Sequence, residues 1–264
     1  MNVVLLTSDS LRHKYIATAI AEELSLQLIV SEEKSAKIKS TENLTSEDAE
    51  FISKHFKARD DSEERFFENF TEFPPDVPVL KVATGQVNDK EIRQLINEIE
   101  PDFILLFGSS IIGNEILERF PQKVINLHLG LSPYYKGSGT NLFPYHFNEP
   151  ECVGATIHLA TAKVDEGAVL HQLRPEIEPG DDLHSIGNKT ILKAGTIFPK
   201  IVKLYSKGKI REAKQVGEGK IFKVRDLTPA ILRNIYSNFE NGMIKDYLDQ
   251  KQEKDSEKPI IETI

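Results

Sequence analysis

The chain has 264 residues, of which one is cysteine and none is tryptophan. The lone Cys152 excludes an intramolecular disulfide and fits a reducing compartment. No apolar run approaches the about 20 residues that a helix needs to cross a bilayer. The opening "MNVVLLTSDS" lacks a basic stretch and a long apolar core, so it does not read as a signal peptide. These absences predict a cytoplasmic protein with no membrane partner. Basic residues are also short: 33 Lys and Arg face 41 Asp and Glu, a net charge of −8. A field of that sign repels phosphate backbones, which argues against nucleic acid as a main partner. Metal signatures are missing too. His146, His158, His171 and His184 are scattered, and neither HExxH nor CxxC occurs, so no metal is expected. Without a Walker A motif or GxGxxG, nucleotide hydrolysis and dinucleotide chemistry have no motif to stand on.

What is present is a regular alternation of elements. "NVVLLTS" reads as a buried strand, "DSLRHKYIATAIAEEL" as a helix and "LQLIVSE" as a second strand. That β-α-β opening predicts an α/β fold with a mostly parallel sheet flanked by helices. Residues 34–75 form a charged insert whose "SEDAEFISKHFKARDDSEERFFENF" has the period of a solvated helix or helix pair. "NDKEIRQLINEIEP" is a helix with Asn88 as N-cap and Glu91 completing a capping box. "DFILLFG" and "KVINLH" are strands, with the short helix "EILERF" between them. "VGATIHLAT" and "AVLHQLRPEIE" read as an antiparallel pair. A long helix follows, with Asp181 as N-cap and Gly208 as its stop. The expected catalytic domain covers residues 1–208, and residues 209–264 form an appendage. That appendage is a hairpin turning at Gly217 and Gly219, a helix capped by Thr228, and a charged, disordered tail.

Asn126 and His128 stand at the carboxyl end of a strand, where open parallel sheets bind ligands. The loop "GSSIIG" follows the preceding strand, and Asp165 lies in a Val-Asp-Glu-Gly turn. An Asn donates to a developing oxyanion, a His moves a proton near neutral pH, and an Asp orients the His. Each also has a structural explanation: Asn126 as a backbone cap, His128 as a satisfied core ring, Asp165 as a turn former. Cys152 has no nucleophile signature around it and fits a structural thiol.

The stretch "NLHLGLSPYYKGSGTN" resembles the signature of N10-formyltetrahydrofolate-dependent formyltransferases, and Asp165 falls in that family's Asp-x-Gly turn after a similar "GATIH" strand. The likeness runs over residues 101–204 and is weaker in the first strand and helix and in "GKIFKVRD". Gly130, Leu131 and Ser132 replace the commoner Ser-Leu-Leu. The resemblance implies a Rossmann-like formyltransferase fold, N10-formyltetrahydrofolate as co-substrate, and a catalytic set of Asn126, His128 and Asp165. It implies folate contacts from Gly108, Ser109, Ser110, Ile111, Ile112 and Val164. Acceptor contacts would come from His158 and from Tyr134, Tyr135 and Lys136 at the mouth. Ser8, Ser10 and Arg12 sit where purine-pathway members bind phosphate, but the glycine-rich turn is missing; they hold a phosphate or form an ordinary cap.

The acceptor is approached by elimination among relatives. The tail is not basic, unlike a tRNA-binding domain, and the glycinamide ribonucleotide pattern is incomplete. By this elimination the chain resembles the sugar N-formyltransferases. That implies a nucleotide-linked amino sugar for surface polysaccharide as acceptor, and a homodimer. Formyl transfer to another small amine and a non-catalytic folate-binding or scaffold role stay open. The 34–75 insert supplies acceptor contacts or a dimer surface.

Overall fold

The structure, a computed structural model, describes residues 1–34 and 41–264. Residues 35–40 of the expected insert lie outside the described residues. The first half is built from β1 (Asn2–Ser8), α1 (Leu11–Glu23), β2 (Ser25–Glu32), α2 (Ser46–Phe67), β3 (Val79–Val82), α3 (Lys90–Ile99), β4 (Phe103–Leu106), α4 (Asn114–Arg119) and β5 (Val124–His128). After it come β6 (Tyr135–Gly137), α5 (Phe143–His146), β7 (Ala155–Leu159), β8 (Val169–Leu173), α6 (Leu183–Ser206), β9 (Lys220–Phe222), α7 (Pro229–Glu240), α8 (Met243–Asp249) and α9 (Lys251–Glu257).

Seven strands form one sheet in the order β3-β2-β1-β4-β5-β7-β8. The first five run parallel; β7 and β8 are antiparallel to their neighbours. Alternate residues of the buried strands feed two cores. Leu5, Ile29, Leu105 and Ile157 meet Ile16 of α1 and Phe198 of α6 on one face. Val4, Val30 and Ile104 meet Ile92, Ile96 and Ile116 of α3 and α4 on the other. The helix α6 comes close to α1 because Gly195 leaves room for Tyr15: an added Cβ would lie 2.4 Å from the Tyr15 ring.

Several local expectations give way to longer-range contacts. Asp89 takes the N-cap of α3, and Asn88 instead crosses to the loop after β4, donating to Ile111 O (2.9 Å) and accepting from Gly113 N (2.7 Å). Asp182 caps α6, while Asp181 binds Lys189 at 2.8 Å. The insert helix α2 is not merely solvated. Its Ile52, His55, Phe56, Ser62, Glu63 and Phe67 are buried, and Ile52 and Phe56 share an apolar cluster with α6, α7 and α8.

The expected hairpin at Gly217 and Gly219 does not form. Residues Lys220–Phe222 pair in parallel with β6. Phe222 stacks on Phe143 with ring centroids 3.8 Å apart, and Gly219 lies so close to the Pro133 carbonyl that no side chain fits. Aromatic burial of that kind outweighs a local turn preference. Nor is the charged tail disordered. It forms α9, and then Ile261 accepts from Gln172 N at 2.7 Å while Thr263 N donates to His171 Nδ1 at 3.0 Å. The strand β8 is the edge of the sheet, and its open backbone groups are what the tail satisfies.

Candidate active site

The side chains of Asn126 and His128 point to one side of β5 because strand residues two apart share a face. On the antiparallel neighbour β7, His158 is the register partner of Asn126. Asp165 reaches the same place from the turn between β7 and β8. Its backbone is left-handed (φ +52°), a conformation Asp tolerates better than most residues. Gln215 Nε2 holds that turn by donating to the carbonyls of Asp165 (2.7 Å) and Gly167 (2.9 Å).

Four side chains then converge. Asp165 Oδ2 lies 3.3 Å from His128 Nδ1, and Asp165 Oδ1 lies 3.3 Å from His158 Nε2. Asn126 Nδ2 is 3.1 Å from His158 Nε2 and donates to Asp165 Oδ1 at a long 3.4 Å. Gly137 N donates to Asp165 Oδ2 at 2.8 Å. His158 Nδ1 is 2.8 Å from the Leu159 carbonyl, which only accepts, so that nitrogen carries the hydrogen and Nε2 faces the Asn126 amide. His128 has an acceptor at each nitrogen, Asp165 at Nδ1 and the Tyr135 carbonyl at Nε2 (3.2 Å). A second proton on this ring therefore finds an acceptor already in place.

Burial pushes the Asp165 carboxyl up, but His128, His158 and the Gly137 N–H together outweigh it and hold it at about 2. Asp165 is a carboxylate throughout the neutral range. For His128 burial is the larger influence and lowers its pKa, with Asp165 opposing and His158 assisting. A neutral imidazole beside a fixed carboxylate is able to accept a proton, and its protonated form is stabilised by the same carboxylate.

The quartet lines a cavity of about 430 Å³, within the range of small-molecule sites. Gly108, Ser109, Ser110, Ile111 and Ile112 form one wall. Their loop is pinned where Ser110 N donates to Glu32 Oε2 at 2.6 Å. Ile111 and Val164 are 71% and 41% exposed at the rim, apolar surface free to meet a ligand. Of the expected acceptor contacts, Arg12 and His158 line the cavity, whereas Ser8, Ser10, Tyr134, Tyr135 and Lys136 do not. Ser8 is buried beside Asp9, and Ser10 serves as the N-cap of α1. Tyr134 donates to the Pro259 carbonyl, Tyr135 to Glu149, and Lys136 pairs with Glu166. Contacts with the C-terminal segment hold the two tyrosines away from the cavity.

Other lining residues escaped sequence reasoning: His13, Lys34, His55, Arg59, His184 and Asn188. A helical-wheel reading of α2 puts His55, Arg59 and Glu63 on one face, and that was the available signal. Burial lowers His55 to about 3, with His184 and Arg59 adding to it; burial lowers His184 to about 4 against Asp182. Cys152 is buried outside the cavity, and burial pushes its thiol up to about 12. Among the described residues no group of His, Cys, Asp and Glu is suited to a metal, and no helix is long and apolar enough to cross a membrane.

Residues 1–202 match the model of the formyl transferase family. The chain belongs to that family. Among formyl transferases of known function, a phosphoribosylglycinamide formyltransferase of Haemophilus influenzae is 28% identical over 124 residues, 47% of this chain and 58% of the relative. A methionyl-tRNA formyltransferase of Bacillus thuringiensis is 32% identical over 145 residues, 53% of this chain and 44% of the relative. The matches thus span about half of each of these formyl transferases. In three dimensions the chain is similar to the formyltransferase PseJ from Anoxybacillus kamchatkensis, solved with UDP-4,6-dideoxy-4-formamido-L-AltNAc and tetrahydrofolate. That likeness covers 86% of this chain and 87% of the other at 22% identity and a TM-score of 0.50, a likeness of fold. The family match ends before β9, α7, α8 and α9, so these elements lie beyond the matched formyl transferase segment.

Proposed function

We propose that this protein transfers a formyl group from N10-formyltetrahydrofolate to a primary amine, and that the acceptor is a nucleotide-linked amino sugar used in cytoplasmic steps of surface polysaccharide synthesis. The observation that carries the reading is the contact of Asn126, His128 and Asp165 on the wall of one cavity. The cavity suits a folate: residues 108–112 line one side, and Ile111 and Val164 offer apolar rim. When bound, the co-substrate supplies the formyl carbon, to which the acceptor nitrogen bonds before the bond to N10 breaks. Asn126 Nδ2 donates to the oxyanion that forms in between, its loose 3.4 Å contact with Asp165 being the one it gives up. His128 takes the proton that the acceptor nitrogen loses and returns one to N10 as that nitrogen leaves, and Asp165 steadies the imidazolium in between. Folate contacts fall to Gly108, Ser109, Ser110, Ile111, Ile112 and Val164. The nucleotide-sugar acceptor is supported by the fold shared with PseJ, which was solved with a UDP-linked formamido sugar.

The first test is calorimetric titration with 5-formyltetrahydrofolate, which cannot donate its formyl group in this reaction. Saturable binding at one site per chain is expected, followed by formyl transfer in a panel of amines that includes nucleotide-linked amino sugars, glycinamide ribonucleotide and methionyl-tRNA. No binding at millimolar folate would overturn the reading and leave a scaffold role.

A further inference from the structure

The cavity is also lined by cations from three parts of the chain. Arg12 comes from α1, Lys34 from the segment after β2, and Arg59 from α2. Two of them have carboxylate partners. Arg12 Nη1 is 3.1 Å from Glu63 Oε2, and Arg59 Nη2 is 2.9 Å from Asp60 Oδ1. Lys34 differs. Its Nζ donates to the Gly108 carbonyl at 3.3 Å, and among the described residues no carboxylate pairs with it. His55, His184 and Asn188 also line the cavity, polar side chains that add no charge at neutral pH.

Glu63 decides where an anion can sit. Its Oε1 accepts the Arg12 backbone N–H at 3.2 Å, so a carboxylate of α2 already occupies the first turn of α1. With its side chain 7% exposed, Glu63 is built into that position. A helix N-terminus that would otherwise attract an anion is closed here by the protein's own charge. The surplus positive charge lies beside it, on Lys34.

We propose that Lys34, with Arg12 and Arg59 beside it, forms a seat for a phosphoryl group of the acceptor, displaced from the α1 N-terminus by Glu63. This rests on the reading of the cavity as an acceptor site. The seat and Asp165 line the same cavity, so one bound acceptor can place its phosphate at the seat and its amine within that cavity. Crowding supports the assignment. Although Lys34 keeps exposed surface, desolvation of its ammonium, then the nearby Arg12 and Arg59, pull its pKa down to about 8. A bound phosphoryl group relieves that repulsion. The ligand class is a phosphate monoester or a diphosphate, and the two share this recognition.

The test titrates the full chain, without folate, with inorganic pyrophosphate and with inorganic phosphate by calorimetry. Saturable binding is expected, and Lys34→Met should weaken it by about tenfold or more. Lys34→Arg should restore most of it, and Glu63→Gln should tighten it by removing a competing anion. Lys54→Met, on the exposed side of α2, serves as the matched loss of charge and should change nothing. Preference for pyrophosphate would indicate a diphosphate-linked acceptor; preference for phosphate, a monoester. Wild-type-like binding in Lys34→Met, or no saturation in the wild type at millimolar anion, would overturn the seat. Because 5-formyltetrahydrofolate binding is read in a separate titration, loss of the seat and loss of the formyl-transfer reading are told apart.

Discussion

The Oδ2 atom of Asp165 lies 3.3 Å from Nδ1 of His128, and the same oxygen accepts the Gly137 N–H at 2.8 Å. The carboxylate is therefore fixed by a backbone donor and by the ring it orients. A base held in this way has one productive orientation, so substitutions around it should register directly in the rate of transfer.

Replacing His128 with Asn should leave the fold intact and slow formyl transfer by about a hundredfold or more, the scale seen when a transition-state contact is lost. Single-turnover kinetics on a folded variant checks this. Transfer at the wild-type rate would remove His128 from the mechanism.

Asp165→Asn tests the electrostatics. Asp165 raises the His128 pKa against the lowering by burial, so its neutralisation should let that pKa fall further. The acid limb of the pH–rate profile should then move to lower pH, and the plateau should drop because the imidazolium loses its partner. Profiles of kcat/KM between about pH 5 and 8 read both changes. An unmoved acid limb would separate Asp165 from the titration of His128.

Stability should decline on the acid side. His55 and His184 titrate at about 3 and about 4 in the folded protein, below the ordinary 6.5. Between 6.5 and those values the unfolded chain binds protons that the folded chain refuses, so this stability is full above 6.5 and is lost as pH falls. Thermal melts from neutral to acid pH should show a falling Tm, and His55→Gln with His184→Gln should flatten the slope. A slope that persists in the double variant would place the acid sensitivity elsewhere.

Gly137 couples the site to the small sheet. Its φ is +91°, and an added Cβ would lie 2.1 Å from the Phe222 carbonyl. Gly137→Ala should lower stability by at least about 1 kcal/mol through strain and lost β6–β9 pairing. It should also reduce transfer, since its N–H is a ligand of Asp165. Chemical denaturation and a transfer assay on the same preparation test both effects, and an unchanged midpoint would show that β9 can yield.

The anion seat has its own pH signature. With Lys34 at about 8, affinity for sulfate should weaken as pH rises through that value, while sulfate itself keeps its charge. The groups facing Lys34 are Arg12, His13, Arg59, Glu63 and Asp9, and burial holds His13 neutral across this range. Lys34→Arg should remove the limb. A limb of the same position in Lys34→Arg would assign it to another group.

Most of the sheet was legible because its strands are short apolar runs between helices of clear period. "DFILLFG" and "KVINLH" became β4 and β5, and the antiparallel pair became β7 and β8. Asn126 and His128 could be grouped for a local reason: the pleat puts residues two apart on one face. Caps were less legible, since Asn88 and Asp89, or Asp181 and Asp182, are equivalent candidates until a distant partner claims one. The structure gave Asn88 to Gly113 and Asp181 to Lys189.

The sequence by itself determined the alternation of strands and helices, the apolar faces that build the two cores, and the Asn-x-His pair at a strand end. These depend on short-range periodicity, which any stretch of chain carries within itself. Only the tertiary structure decided which contacts His158 and Asp165 make with that pair, that α2 turns His55 and Arg59 toward the cavity, and that β9 and the tail join distant strands. Each of those pairings closes a long loop, and its partner is chosen by shape, burial and unsatisfied hydrogen bonds that exist only once the chain has folded back on itself.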